Sequence, residues 1–419
     1  MKSRRPRFLI AIAALAMAPL FGAPASMQQT AKRAVEVEDV VAWKSLGSTV
    51  RSDDGAWFAY RLAPQEGDAE VVIRQARALP AQGVPAAMQA EFVFESAPFP
   101  SAHASTIADT RDGLIAAWFG GARERAPDVG IWVSRRVGGR WTAPVEVANG
   151  VQPDGTRHPC WNPVLFEASA GRLLLYYKIG PSPAEWWGME RSSGDGGQTW
   201  SEARRLPAGI LGPIKNKPVR AADEAIVAPS STESTGRPSQ WRVHFERSTD
   251  AGATWTKSAP APAADGLEMN AIQPSILTHP GGRLQAIGRS KSGRIFETWS
   301  SDSGRTWTPL GRTALPNPDA GIDAVTLRDG RHLVVYNHTT KGRTPLNVAI
   351  SRDGKTWEAA LVLEREPGEY SYPAVIQSAD GLVHVTYTWK RERIKHVAFD
   401  PATLKPVPMP DGTWPEVRR

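Results

Sequence analysis

The sequence predicts an all-β fold, a six-bladed β-propeller made of four-stranded antiparallel sheets. Four copies of one short motif, Ser-x-Asp-x-Gly-x-Thr-Trp, end at Trp200, Trp255, Trp307 and Trp357, and the last copy is one residue shorter. The copies lie roughly fifty residues apart, a period typical of an array of small sheets. We expect each Asp to accept hydrogen bonds from turn amides and each Trp to pack between neighbouring sheets.

The chain of 419 residues opens with a segment typical of a secretory signal. Four basic residues come first, and an apolar run then leads to Ala23-Pro24-Ala25. Residues 1–25 are therefore predicted to be a signal peptide that is cleaved, with the mature protein exported to the periplasm or secreted. A membrane anchor is the alternative, but the run is short for a span and Pro19 interrupts it. No later stretch is apolar enough to cross a bilayer, so we expect no stable membrane span.

Residues 26–89 are predicted to be an N-terminal extension and linker outside the repeat. A turn at Asp53-Asp54-Gly55 followed by the strand WFAYRL predicts a short β-hairpin. Residues 39–77 resemble the opening blade of prolyl-oligopeptidase-type serine peptidases. The Gly-x-Ser-x-Gly motif that carries the nucleophile of such enzymes does not occur in the sequence. We therefore expect an extension rather than a functional module.

Residues 90–400 are predicted to form the propeller. Each unit reads as two apolar strands joined by a turn, a third strand leading into the motif and a fourth strand after the Trp. The units begin near six positions, which gives six blades: His103, Trp161, Lys217, Gln273, Ile322 and Tyr372. The last unit ends after three strands, so we expect Glu91–Glu95 to supply its outer strand and close the ring. Residues 401–419 are left as a C-terminal tail.

The residues at the start of each blade are expected to meet at one mouth of the central channel. This rule gathers His103, Ser105, Trp161, Asn162, Lys215, Asn216, Lys217, Gln273, Asp319, Asp323, Glu369, Tyr370 and Tyr372. Arg157 and His158 stand beside Trp161 and extend the same set. Converging acids, bases, amides and aromatic rings suit a sugar pocket. In the alternative interpretation some of them only cap strands, with Trp161 in the core and Lys215 solvated.

The repeated motif is similar to the Asp-box of the sialidase superfamily, and the resemblance covers the whole predicted propeller. Sialidases hold the substrate carboxylate with three arginines and use a Tyr nucleophile activated by a Glu, with an Asp as acid/base. By resemblance, YSYPAVIQ puts the nucleophile at Tyr370, and RLQAIGR and NHTTKGRTP put two of the arginines at Arg289 and Arg343. The loop FGGARERAPDVGIW puts the acid/base at Asp128, with Glu124 nearby.

Two positions depart from the sialidase pattern. The first arginine belongs in the opening blade, where PFPSAHAST contains His103 and no arginine. The activating Glu falls on Gln273, and because an amide cannot take a proton, Glu233 or Glu246 is expected to serve as the base. The resemblance thus implies an exo-glycoside hydrolase that removes a terminal acidic sugar, with sialic acid as only one of the candidates.

Two other functions stay open beside the enzyme. One is a non-catalytic carbohydrate-binding propeller, which Gln273 favours, and the other is a protein-interaction scaffold. The net charge of +7 includes four signal-peptide charges and no Lys/Arg block stands out, so a glycan or glycoconjugate and not nucleic acid is the expected partner. Cys160 is the only cysteine, and no metal-ligand spacing occurs, so neither an internal disulfide nor a metal or other cofactor is expected. The oligomeric state is not predicted.

Overall fold

The computed structural model describes residues 44–51, 57–64, 69–75, 88–169, 171–264 and 269–415. The chain divides into two compact units, Met1–Gln82 and Gly83–Arg419. The expected signal peptide and the turn at Asp53-Asp54-Gly55 lie outside the described residues, so cleavage and export stay predictions. In the part of the chain that the structure describes, no helix is long and apolar enough to cross a membrane.

The N-terminal unit contains a three-stranded antiparallel sheet and not the simple hairpin that we expected. Its strands lie in the order β1 (Lys44–Arg51), β2 (Trp57–Pro64) and β3 (Glu70–Gln75). The third strand, EVVIRQ, is rich in β-branched residues and pairs with β2 along its whole length. Because a two-stranded hairpin is only marginally stable in water, the third strand gives this unit a sheet of the minimum independent size.

The second unit is the predicted six-bladed propeller, and its first three blades follow the chain. Its chain starts with β4 (Gln89–Phe92), which belongs to the last blade. Blade one contains β5 (Ser101–Thr110), β6 (Gly113–Gly121), β7 (Gly130–Val137), β8 (Arg140–Trp141) and β9 (Val145–Ala148). Blade two contains β10 (Cys160–Ser169), β11 (Arg172–Ile179), β12 (Trp187–Ser193) and β13 (Arg204–Arg205). Blade three contains β14 (Val219–Arg220), β15 (Ile226–Glu233), β16 (Trp241–Ser248) and β17 (Thr256–Lys257).

The last three blades complete the ring and take up the C-terminal segment. Blade four contains β18 (Ala271–Thr278), β19 (Leu284–Ser290), β20 (Arg294–Ser300) and β21 (Gly311–Pro316). Blade five contains β22 (Asp323–Thr326), β23 (His332–Tyr336), β24 (Leu346–Ser351), β25 (Trp357–Glu364) and a fifth strand, β29 (Val407–Pro408). Blade six contains β26 (Tyr370–Gln377), β27 (Val383–Trp389) and β28 (Arg393–Phe399). Short 3-10 turns occupy Pro280–Gly282, Pro401–Thr403 and Pro410–Gly412.

The ring closes where β4 pairs with β28 as the outer strand of blade six, which confirms the expected closure. The amide of Val93 extends the ladder by donating to the Ile394 carbonyl at 2.9 Å. The Glu91 carboxylate on β4 accepts from the Trp141 indole of blade one at 3.1 Å and contacts the His396 ring of blade six at 3.1 Å. One side chain of the closing strand thus joins the first blade to the last.

The repeated motif forms the turns that the sequence predicts. In the first copy, Asp195 Oδ1 accepts from the amides of Gln198 and Thr199 at 3.0 and 2.9 Å, and its Oδ2 accepts from the Thr199 hydroxyl at 2.6 Å. Hydrogen bonds from Thr199 are the main reason that the pKa of Asp195 lies below its usual range. Trp307 stacks on Phe245 of the preceding blade, with 3.6 Å between ring centroids. The motif therefore shapes the hairpins and joins neighbouring blades.

The inner strands are almost completely buried and fix the hub of the propeller. Six or more residues of β10, β18 and β19 lie in the interior. Apolar layers fill the spaces between blades, such as Leu333 and Val348 of blade five against Val385 and Val397 of blade six. Each such side chain contributes roughly 1.5–3 kcal/mol by leaving water. This packing holds the strand starts rigidly around the axis.

Candidate active site at the propeller hub

A β-bulge near the start of the inner strand aims side chains at the axis in four blades. The ladder breaks after His103, Trp161, Ile272 and Ser371. The next residue has a left-handed backbone each time, with φ of 56° at Ala104, 33° at Asn162, 55° at Gln273 and 50° at Tyr372. Such conformations cost about 1–3 kcal/mol each and cluster at functional sites. A bulge leaves its extra residue unpaired, so a following proline loses no ladder bond there.

Tyr372 lies at the centre of the hub. Its hydroxyl oxygen accepts hydrogen bonds from Arg289 Nη1 at 2.9 Å and from Gln273 Nε2 at 3.3 Å. The ring of His103 lies 4.3 Å from the Tyr372 ring, and the Lys215 ammonium lies 5.8 Å from its centroid on the axis. Residues of three other blades therefore surround one partly exposed phenol.

Tyr370, the expected nucleophile, does not reach the hub. Its side chain is 1% exposed and packs in the apolar layer between blades five and six. Its hydroxyl end lies against the backbone of Gly368. Burial, and then the charges of Glu364 and Glu366, raise the pKa of its hydroxyl. In a regular strand two residues that are two apart share a face, but the bulge after Ser371 turns Tyr372 toward the axis and leaves Tyr370 in the core.

The sequence contains a signal that distinguishes Tyr372 from Tyr370. In three blades the hub residue comes directly before a proline near the start of the inner strand: Asn162-Pro163, Gln273-Pro274 and Tyr372-Pro373. Tyr370 is followed by Ser371 and does not fit this pattern. The position before the proline, compared between repeats, identifies Tyr372 as the tyrosine of the hub.

Three arginines lie at the hub, and one of them, Arg289, contacts this phenol. Arg289 donates from Nε and Nη2 to Asp319 Oδ1 at 3.1 and 2.8 Å, besides its bonds to Gln273 and Tyr372. Arg343 donates to the Asp319 carbonyl at 3.4 Å, while its buried Nη1 has no partner among the described residues. Arg391 donates from Nε to Glu369 at 2.7 Å and from Nη1 to Glu124. We call Tyr372, Gln273, Arg289, Arg343 and Arg391 the mouth cluster.

Arg391 is the functional residue that sequence reasoning missed. It lies in the run Lys390–Arg393 between β27 and β28, and its carbonyl accepts from the Ala102 amide at 2.9 Å. This hydrogen bond places Arg391, a residue of blade six, next to His103 of blade one. Blade one is the blade in which the first arginine was expected. Its backbone is left-handed, with φ of 62°. A charged run in a turn is common at protein surfaces, so no sequence pattern places this arginine at the hub.

His103 is a neutral group in this cationic setting. It is 2% exposed, and its Nδ1 lies 3.0 Å from the Thr388 hydroxyl, which also accepts from the Ala104 amide at 3.1 Å. Burial holds the pKa of His103 well below its usual range, and the charges of Arg391, Arg343, Arg289 and Lys215 add to the effect. The ring therefore supplies an apolar face and one neutral nitrogen to the hub.

Below the mouth cluster, polar residues close the axis. Lys215 donates to the Ile322 carbonyl at 3.0 Å, to Asn216 Oδ1 at 2.8 Å and to the Pro373 carbonyl. Burial lowers the pKa of Lys215 to about 7, although Asp323 opposes this. The Asn216 amide donates to the carbonyls of Gln273 and Pro274 at 3.1 and 3.0 Å. Lys215 and Asn216, expected to line a pocket, thus join blade three to blades four, five and six.

Deeper along the same strands lies a fully paired group, Lys217, Ser275 and Asp323, which we call the axial lock. Asp323 is 2% exposed and accepts from Lys217 at 2.9 Å, from the Ser275 hydroxyl at 2.7 Å and from the Val375 amide at 2.8 Å. Lys217 also donates to the Ala324 carbonyl at 2.8 Å. Lys217 and Asp323, both expected to contact substrate, are therefore structural.

Three expected site residues of blades one and two are buried in the wall of the hub: Trp161, Asn162 and Ser105. Trp161 is 2% exposed, donates to the Gly180 carbonyl at 2.8 Å and meets Trp186 edge-on at 5.9 Å. It is therefore a core residue and offers no open face for stacking on a sugar. Asn162 is also buried, and the buried Ser105 hydroxyl has no partner among the described residues.

The loop between β6 and β7 brings one of its two acids to the mouth cluster. Asp128, the expected acid/base, is exposed and accepts from the Ala122 amide at 2.8 Å, so its carboxylate caps its own loop. Glu124 bonds to Arg391 instead. Arg157 donates to the Asp128 carbonyl at 3.0 Å and therefore supports the loop. His158 meets Trp187 edge-on at 5.7 Å and lies away from Tyr372.

The two candidate bases differ in position. Glu233 accepts from the Trp241 indole at 3.1 Å, and the Arg289 guanidinium lies 4.9 Å from the centroid of that same ring. Burial raises the pKa of Glu233, while the charge of Arg289 acts in the opposite direction. Glu246 is fully buried and accepts from the amides of Leu211 and Gly212 at 2.9 and 2.6 Å. Glu246 is thus a structural anchor of a loop, whereas Glu233 borders the hub.

The described residues contain no group of three or more His, Cys, Asp or Glu side chains that could hold a metal ion. Cys160 is a buried free thiol whose pKa is raised by burial. The groups that converge at the hub are instead a phenol, three guanidinium groups and half-buried carboxylates at the rim, from Asp319 and Glu369. This set can bind an anion and can form a bond through the phenol oxygen.

Comparison with known proteins supports the fold. A family model described as "BNR repeat-like domain" matches residues 112–385. A protein of unknown function from Dyadobacter fermentans has a similar structure, with a TM-score of 0.62 and 17% identity over 74% of this chain and 98% of that chain. The Hadza microbial sialidase has a similar structure with a TM-score of 0.62 and 18% identity, and the match covers 83% of this chain and 74% of that chain. The NanB sialidase of Streptococcus pneumoniae matches with a TM-score of 0.59 and 11% identity, over 85% of this chain and 83% of that chain. None of the curated proteins matches the sequence.

Proposed function

The chain belongs to the BNR repeat-like domain family, and from that premise we propose that it is an exo-acting glycoside hydrolase that removes a terminal acidic sugar. One observation carries the proposal: Tyr372 accepts a hydrogen bond from Arg289 at the hub, with Arg343 and Arg391 beside it. The solved structures with a similar fold include sialidases, whose identities of 18% or less support the fold alone.

The arginines suit the carboxylate of an acidic sugar. Arg343 has a buried Nη1 without a partner among the described residues, and burial lowers its pKa, so an anion that pairs with it relieves an unfavourable buried charge. Arg–carboxylate hydrogen bonds are charge-assisted and often bidentate. Arg289 and Arg391 are held by Asp319, Glu369 and Glu124, which fixes their guanidinium planes around the site.

Tyr372 is the proposed nucleophile. Two donors face its oxygen, one of them charged, so negative charge that develops there is stabilised when the phenol proton leaves to solvent. The oxygen then forms a bond to the anomeric carbon as the glycosidic bond breaks, and water hydrolyses the glycosyl-tyrosine in a second step. Gln273 takes part as a hydrogen-bond donor and not as a base.

A non-catalytic carbohydrate-binding protein is the second candidate, and Gln273 favours it. Without a carboxylate at that position, no group in contact with the Tyr372 hydroxyl can accept its proton. The arginines would then bind the acidic sugar without cleaving its linkage.

A screen of the purified protein against chromogenic sialosides, uronides and deoxysugar glycosides tests the proposal. We expect release of an acidic sugar by the wild type and loss of release in Tyr372→Phe. Tyr370→Phe is the matched control, because Tyr370 lies in the core, and it should keep its activity. Saturable binding of the same glycosides without any release would establish the second candidate, and equal activity in both variants would refute the role of Tyr372.

Export of the mature protein is also a proposal. It is supported by the basic start, the apolar run and the small residues Ala23 and Ala25. Sequencing the N-terminus of the protein recovered from a bacterial host's periplasm or medium should give a start near residue 26, and an intact Met1 would contradict it.

A further inference from the structure

A cavity opens between blades two and three. Its volume is about 320 Å³. Its walls include Trp186 and Trp187 at the start of β12, Arg205, Lys257 and Glu233. We call it the side cavity. At the lower end of the size range of small-molecule pockets, it suits one or two sugar rings rather than a long chain.

The side cavity and the mouth cluster share one wall. Glu233 lines the cavity and accepts from the Trp241 indole at 3.1 Å. Arg289 also contacts the Trp241 ring, with its guanidinium carbon 4.9 Å from the ring centroid. The Nη1 of Arg289 lies 2.9 Å from the Tyr372 hydroxyl oxygen. A carboxyl group therefore stands at the boundary between the proposed sugar site and an empty neighbouring space.

The chemistry of the walls suits a neutral sugar. The Arg205 guanidinium stacks over Trp187 at 4.6 Å, which fixes an aromatic face at the cavity. Trp186 leans on Trp161 at 5.9 Å and is held by the core. Aromatic faces with a few polar groups at their edges bind the apolar side of a sugar ring and its hydroxyls.

Resting on the proposed function, we propose that Glu233 is the proton donor to the glycosidic oxygen and that the side cavity receives the leaving group, a neutral sugar residue. When the bond between the anomeric carbon and the glycosidic oxygen breaks, its electron pair stays on the oxygen, which takes the proton of the Glu233 carboxyl. Tyr372 oxygen forms the new bond to the anomeric carbon. In the second step water attacks that carbon and gives a proton to the Glu233 carboxylate, which restores the carboxyl group, while Tyr372 leaves as the phenolate and takes a proton back from solvent.

The surroundings of the two acids favour Glu233 over Asp128 in this role. Burial raises the pKa of Glu233, which favours the protonated form that a donor needs. Asp128 is exposed, and its carboxylate accepts the Ala122 amide in its own loop. Only Glu233 borders both the arginines and a space for a leaving group.

The test compares two substrates of the same acidic sugar, with Glu233→Gln and Asp128→Asn. The pairs are 4-methylumbelliferyl sialoside with 3′-sialyllactose, and 4-methylumbelliferyl glucuronide with glucuronyl-galactose. The aryl alcohol is acidic enough to leave without protonation, whereas a sugar leaving group must receive a proton from an acid. We expect Glu233→Gln to lower kcat for the sugar-linked substrate by about 10²–10³-fold and for the aryl substrate by less than about 10-fold. It should also remove the alkaline limb of the pH profile. The same pattern in Asp128→Asn instead would overturn the assignment.

The cavity is tested by Trp187→Ala, with Trp299→Ala as the matched control. Trp299 also carries a stacked arginine, Arg283 at 4.7 Å, but it lies on blade four away from the cavity. We expect Trp187→Ala to raise KM about 10-fold for the sugar-linked substrate only, and Trp299→Ala to change neither substrate. Equal effects on both substrates would refute the cavity as the leaving-group site.

A binding measurement separates this inference from the proposed function. If no glycoside is hydrolysed, calorimetry with 3′-sialyllactose and with free N-acetylneuraminic acid still reports on the cavity. Tighter binding of the trisaccharide that Trp187→Ala abolishes would support the subsite while the hydrolase proposal fails. Hydrolysis that neither Glu233→Gln nor Trp187→Ala alters selectively would refute the inference while the hydrolase proposal stands.

Discussion

The mouth cluster and the axial lock are both polar groups at the hub of the propeller, yet they differ in how completely they are paired. In the axial lock the carboxylate of Asp323 meets an ammonium, a hydroxyl and a backbone amide. In the mouth cluster Arg289 contacts the phenol, and the buried Nη1 of Arg343 has no partner in the part of the chain that the structure describes. A fully paired carboxylate leaves no group free for a ligand, whereas a guanidinium with an unpaired donor beside a partly exposed phenol can accept an anion from outside. We therefore treat the axial lock as structural and the mouth cluster as the candidate site.

The largest effect is expected in the mouth cluster from Tyr372→Phe, which removes the proposed nucleophile. We expect kcat to fall about 10³-fold or more, with the thermal midpoint nearly unchanged. Steady-state kinetics and thermal unfolding of the same preparation measure both quantities. A large loss of stability together with activity would place Tyr372 in the structural class and break the comparison.

The converse change in the axial lock is Asp323→Asn. Because Lys217 then remains buried without a counter-charge, the free energy of unfolding should fall by about 3–5 kcal/mol. Urea denaturation measures this change. Asp329→Asn, at the half-exposed pair with Arg331, is the control and should cost less than about 1 kcal/mol. Asp323→Asn that keeps full stability but binds substrate poorly would show that the lock is part of the site.

Arg343→Ala sharpens the functional side of the comparison. Since a hydrogen bond to a charged group contributes about 1.5–3 kcal/mol, KM for an acidic substrate should rise about 10–100-fold. The methyl ester of the same sugar, which has no carboxylate, should show no such change. Equal losses on both substrates would mean that Arg343 supports the hub and does not bind the carboxylate.

The smallest effect concerns Lys215, which lies between the two groups. Its pKa is about 7 in the folded protein and about 10.4 in an unfolded chain. Between these values the unfolded chain binds more protons, so this residue makes stability increase as pH rises from about 7 to about 10, by at most about 1.4 kcal/mol per pH unit. Denaturation of wild type and Lys215→Met at several pH values measures it. A wild type whose pH slope equals that of the variant would contradict the shifted pKa.

The fold could be predicted from sequence because its causes are local and repeated. The Asp-box turns, the alternating strands and the unpaired last blade each follow from short segments, and the closure by β4 follows from the missing strand. The site could be predicted only in part. Arg289, Arg343, His103 and Gln273 meet as expected, but Tyr370 and Tyr372 differ only through a bulge that the strand pattern does not reveal. Arg391 arrives from a turn in another blade, and such long-range placement has no local signal.

The closing strand is synthesised long before the strand with which it pairs. Glu91 of β4 leaves the ribosome 305 residues before its partner His396, which at about 5–20 residues per second is a delay of about 15–60 s. During that interval an outer strand waits with open hydrogen-bonding groups, and it can pair with a neighbouring nascent chain. Slower translation lengthens this window, so the yield of native protein should depend on the speed of elongation as well as on the stability of the finished ring.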